Sequence, residues 1–183
     1  MIIRGGLHPW TLLWGIALGL LLSVTSPPGH TTGCEGVEVE KKTDLSLGTL
    51  RTRPGAHGFL ELHPRNGVAA TGSGLVHQGP SGVAVVRVAG VPGSRVTLAI
   101  DVAARTDHDK HYLRLVELII RTREGQTRFP ADHATITLTL PDTKSPQGLA
   151  ASEFRIGAVV RYRHVSGGTA LRYRLRTRCM EID

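Results

Sequence analysis

A chain of 183 residues that is 40% hydrophobic but only 4% aromatic has room for one domain, with a core drawn mainly from Val, Leu, Ile and Ala. Its 22 Gly and 10 Pro favour many short elements joined by tight turns over a few long ones. The formal charge of +7 favours anionic partners, but the cations are spread along the chain, which excludes a basic tail of the kind that grips nucleic acid.

The first segment reads as a leader. Met1 to Pro9 contains Arg4 and no acid, Trp10 to Val24 (WTLLWGIALGLLLSV) is an unbroken run of apolar and small residues, and Thr25-Ser26-Pro27-Pro28-Gly29 ends it. A basic start, an apolar helix and a small-residue exit form the secretory pattern, and the run is short of the ~20 residues that span a membrane. Residues 1–26 are therefore expected to be a signal peptide, with cleavage between 25 and 33 because Pro27 obstructs a cut directly after Ser26; an uncleaved anchor is the other reading. Thr31-Thr32-Gly33-Cys34 lacks the aliphatic residue that a lipoprotein box carries three before its cysteine. Residues 34–183 are expected to form one domain, in the periplasm or at the cell surface.

From Cys34 onward the chain reads as β-strands separated by turn chemistry. Val37 to Glu40 alternates, Leu45 to Leu50 (LSLGTL) follows, and Phe59 to Leu62 leads into His63-Pro64-Arg65-Asn66-Gly67, where Asn-Gly supplies a hairpin turn. Val68 to His77 is rich in small residues. Val83 to Ala89 (VAVVRVA) is apolar almost throughout, as a strand covered on both faces would be. Gly90-Val91-Pro92-Gly93 marks a turn, and Val96 to Ile100 alternates again. Tyr112 to Thr122 (YLRLVELIIRT) fits a helix or a buried strand, and its β-branched residues favour the strand.

Thr135 to Leu140 (TITLTL) places Ile136, Leu138 and Leu140 on one face and threonines on the other. After Arg155 to Arg163, the stretch Leu171 to Cys179 sets Leu171, Tyr173, Leu175 and Thr177 against Arg172, Arg174, Arg176 and Arg178. One face apolar and one face entirely arginine is the pattern of a strand with its outer side in water. These four arginines are the most concentrated basic surface in the sequence and the candidate contact for an anionic lipid or glycan. The whole pattern suggests an all-β, immunoglobulin-like sandwich of about eight to ten short antiparallel strands.

Chemistry is harder to find. Asp107-His108-Asp109-Lys110-His111 holds two acids and two histidines, yet residues so close in sequence cannot all converge on one ion, and Lys110 repels it. His108 and His111 are weak metal candidates for that reason, and His57, His63, His77 and His133 could join them only through the fold. Gly72-Ser73-Gly74 lacks the nucleophile-elbow spacing. Walker, dinucleotide-binding, H-E-x-x-H and EF-hand patterns are absent. No enzymatic activity, cofactor or resident metal is expected. Nucleic acid is not expected either, because the arginine strand lacks the interleaved aromatics of single-strand binders.

The two cysteines, Cys34 and Cys179, lie near the two ends of the exported part. An even count in an oxidising compartment suggests a disulfide, with two unpaired thiols as the other reading. The absence of C-x-x-C disfavours a redox or metal role.

Leu45-Ser46-Leu47-Gly48-Thr49-Leu50, Val88 to Leu98 (VAGVPGSRVTL), Ile156 to Val160 and Gly167 to Leu175 together resemble an uncharacterised domain family of exported Gram-negative proteins. The resemblance spans roughly residues 37–178. Leu47 and Val96 stand where that family carries aromatics, and Gly167-Gly168-Thr169-Ala170 lacks its following tyrosine. The resemblance implies an exported, pilin-like β-sandwich that assembles with like subunits or surface-assembly proteins, and it carries over no catalytic residue. Two functions are thus expected of the chain: a pilin-like structural or adhesion subunit, or a soluble periplasmic binding domain that meets an anionic surface through its arginine strand.

Overall fold

The computed structural model describes residues 34–104, 113–130, 132–143, 148–163 and 169–183. The expected leader, its cut site and the His108/His111 loop all lie outside the described residues. Within them there is no helix. Ten strands follow in order: β1 (Glu38–Thr43), β2 (Leu45–His63), β3 (Gly67–Gln78), β4 (Ala84–Gly90), β5 (Arg95–Ala104), β6 (Leu113–Arg121), β7 (Gln126–Pro130), β8 (His133–Thr139), β9 (Ala150–Arg163) and β10 (Thr169–Ile182). All pairings are antiparallel and join into one sheet, so the all-β expectation holds, including a strand at Leu113–Arg121 where a helix was the competing reading.

Two long strands organise the sheet. One edge of β9 pairs with β4 over Ala150–Ile156 and then with β2 over Ala158–Arg163, while its other edge carries β6. One edge of β2 likewise pairs with β10 over Leu45–Leu50 and with β9 over His57–Leu62, and β3 runs along the other. The group β1-β4-β9-β6-β7 is thereby joined to the group β3-β2-β10-β5-β8 through β2 and β9. Residues 45–50 and 59–62, which read as separate strands in the sequence, belong to one strand. Gly48 (φ 73°) and Gly55 (φ 78°) supply backbone angles that other residues resist, and a register shift between Thr52 and His57 lets β2 bend without ending.

Period-two patterning then buries one face. β8 alternates through buried Ala134, Ile136 and Leu138, and β10 through buried Leu171, Tyr173, Leu175, Thr177 and Cys179. The inward residues gather into a single apolar cluster, to which β3 and β7 add only the partly buried Val68, Leu75 and Phe129. The far ends of the sheet meet: a Cβ added to Gly90 of β4 would sit 3.0 Å from Leu140, just past β8, and 3.2 Å from Val37. The strand β4, expected to be covered on both faces, is fully buried on one and only half-buried at Val85 and Arg87 on the other. Its neighbours flank that outer face without roofing it.

On the outer face Arg128 of β7 reaches over β9, donating to Glu117 on β6 (2.8 Å) and to Glu61 on β2 (2.9 Å). Both acids are register neighbours of Val159, so the guanidinium ties together the strands on either side of it. Arg128 is held protonated more firmly than usual, first by Glu117 and then by Glu61.

Tyr162, Gly58 and Gly72 lie side by side on β9, β2 and β3. An added Cβ would fall 2.7 Å from the Tyr162 hydroxyl at Gly58 and 2.8 Å at Gly72; the tyrosine fills the room two glycines leave. Its hydroxyl is buried without a hydrogen-bond partner, and burial raises its pKa. Because an unpaired buried hydroxyl is a net cost, Tyr162→Phe is expected to stabilise the fold by up to about 1 kcal/mol. Gly72→Ala, at φ 124°, is expected to destabilise it by more than about 1 kcal/mol, both read as shifts in urea midpoint.

Cys34 and Cys179 form a disulfide, with Cα atoms 5.6 Å apart across a sequence separation of 145. Closing so long a loop removes much unfolded-state freedom, about 5 kcal/mol in the chain-entropy limit. Paired Cys34→Ser and Cys179→Ser substitutions are expected to lower unfolding free energy by about 2–5 kcal/mol in denaturant titrations, and reduction of the native protein is expected to reproduce the loss.

Candidate functional site

The pleat of β10 turns Arg172, Arg174, Arg176 and Arg178 outward, and all four are exposed. Across them on β5 stand Ala103, Asp101 and Ala99, opposite Arg174, Arg176 and Arg178. On the β2 side Ser46 is opposite Arg172. The next strand, β8, contributes His133 beside Asp101 and then Thr135, Thr137 and Thr139. The face is a row of guanidiniums bordered by short neutral side chains, with Asp101 as the acid of β5.

Asp101 accepts from both sides. Its Oδ1 lies 2.8 Å from His133 Nδ1, and its Oδ2 accepts from Arg178 Nη2 at 3.2 Å. The His133 hydrogen bond is the main cause that holds the Asp101 carboxyl below its ordinary range; slight burial opposes it, and the Arg178 charge adds to it. Arg172, Arg174 and Arg176 form no ion pair among the described residues. Unpaired guanidiniums offer planar, bidentate donors to carboxylate, sulfate or phosphate groups.

The described histidines make separate contacts. His133 bonds Asp101, His77 Nε2 lies 2.7 Å from the Leu47 carbonyl, and His57 Nδ1 lies 3.2 Å from the Gly55 carbonyl. No group of three metal-ligating side chains occurs among the described residues. A groove of about 380 Å³ lies between β7 and β8, lined by Thr122, Glu124, Gln126, Thr127, Thr135 and Thr137. The Asp101–His133–Arg178 cluster was not legible in the sequence, because only the register of β5 against β8 and β10 brings those residues together.

A depressed carboxyl pKa stabilises the fold above the unfolded value of about 3.9, and that stabilisation is lost as pH falls through the lower folded value. Asp101→Asn is therefore expected to lower the urea midpoint at pH 7, and the gap between the two proteins is expected to narrow as pH falls below the unfolded value of about 3.9. A mutant gap as wide at acid pH as at neutral pH would remove the carboxylate from that account.

No protein-family model matches this chain, and no curated protein or solved structure matches it.

Proposed function

We propose that this chain is an exported, non-enzymatic β-sandwich that binds an anionic partner through the arginine row of β10. The single observation that carries the reading is four exposed arginines on successive outward positions of one strand, three of them without an ion pair among the described residues. Like charges held side by side repel unless a ligand or solvent screens them, and Arg178 alone of the four is paired within the fold, to Asp101. The Cys34–Cys179 disulfide supports export, since such bonds persist in oxidising compartments.

A second reading, a pilin-like or surface structural subunit, is favoured by β3. Among the described residues this strand pairs with β2 alone, and it carries no Lys, Arg, Asp, Glu or Pro, the residues that usually blunt a sheet edge. Such an edge suits strand addition from a like subunit or a surface-assembly protein. Concentration-dependent sedimentation of the oxidised protein tests it: self-association abolished by Ala70→Lys favours the subunit, and a monomer throughout opposes it.

The binding reading predicts that replacing Arg172, Arg174, Arg176 and Arg178 together with Gln abolishes salt-sensitive retention on a polyanionic resin while circular dichroism stays unchanged. Retention equal to the unaltered protein's would end it.

A further inference from the structure

The shape of the arginine row points to the class of ligand, an argument that rests on the binding reading above. Outward positions on a strand recur about every 6.8 Å, so the four guanidiniums follow a line about 20 Å long. The row is one side chain wide. Its flanks are Ala103 and Ala99 on β5 and Ser46 on β2, none of them charged, while Asp101 is already engaged by His133 and Arg178. The further cation on this face of β5, Arg95, lies beyond the row's end, where its backbone bonds Asp183.

Such a line discriminates among anions. A lipid surface presents charge in two dimensions and rewards cations spread over a patch. A lone phosphate rewards donors converging on one point, and these stand about 7 Å apart. A single-stranded nucleic acid would be rewarded by aromatic platforms, yet the one aromatic within the row's span, Tyr173, points into the core. A flexible chain with recurring anionic groups and no bases fits all three constraints.

We infer that the ligand is a linear acidic polysaccharide lying parallel to β10, its carboxylate or sulfate groups engaged in single file by Arg172, Arg174, Arg176 and Arg178. Contacts of this kind add along the line, so affinity depends on how much of the row a chain can reach.

The test titrates the oxidised protein with polyuronate oligomers of graded length, with phosphatidylglycerol vesicles, and with inorganic phosphate, each against the single variants Arg172→Gln and Arg176→Gln. Affinity is expected to climb with oligomer length until about 20 Å is spanned and then flatten. Arg172→Gln, at the row's end, is expected to bring the plateau at a shorter oligomer. Each variant is expected to lose about threefold to tenfold in affinity for long oligomers. Affinity independent of length would overturn the linear arrangement. Arginine-dependent binding to vesicles without binding to oligomers would overturn the polysaccharide while leaving the anionic-partner reading intact, and arginine-independent binding to every probe would overturn both.

Discussion

The pairing of His57–Leu62 with Ala158–Arg163 is the seam on which the molecule depends, since it joins two five-stranded groups into one sheet. Neither group could hide its apolar face alone; the cluster that includes Leu60, Leu98, Leu118, Ile156 and Leu175 draws on both. Close approach at this seam demands glycine. A Cβ on Gly157 would overlap the Leu62 carbonyl oxygen and lie 2.9 Å from Pro64, so a side chain there would push the strands apart. The Arg128 fork to Glu61 and Glu117 spans the same seam from outside, where solvent screening leaves each exposed pair worth little. Backbone pairing and the core beneath it do most of the holding.

Period-two patterning made most strands legible. Thr135 to Leu140 and Leu171 to Cys179 alternate cleanly because each has one dry face and one wet face, and the structure buries the apolar set in both. The short, polar Gln126–Pro130 escaped notice: at an edge, with one partly buried aromatic, it has little pattern to read. The continuity of β2 escaped too, because Gly48, Gly55 and Gly58 look like turn residues and serve instead as bends within a paired strand. The disulfide was inferable from two cysteines and the leader-like start of the sequence, though their proximity required the fold.

The candidate site divides in the same way. The arginine row is local to one strand, so its sequence displays it. The Asp101–His133 contact spans strands whose partners are set by long-range register, and no local signal marks it. β10 therefore carries two unrelated jobs on its two faces: Leu171, Tyr173 and Leu175 hold the core, while the arginines between them are left to solvent. Substituting Arg172, Arg174 or Arg176 leaves the inward set in place, which makes that surface chemistry separable from folding, whereas Arg178 also holds Asp101.

Cys179 lies at the end of the same strand, one residue beyond Arg178, and is bonded to Cys34 at the start of the described chain. That placement has a mechanical meaning. Were the proposed ligand held along Arg172–Arg178, tension between it and residue 34 would travel through the sulfur–sulfur bond into β10. The chain from residue 35 to residue 171, most of the loop that the disulfide closes, lies off this line of force, so the sheet need not peel apart for the molecule to bear a load.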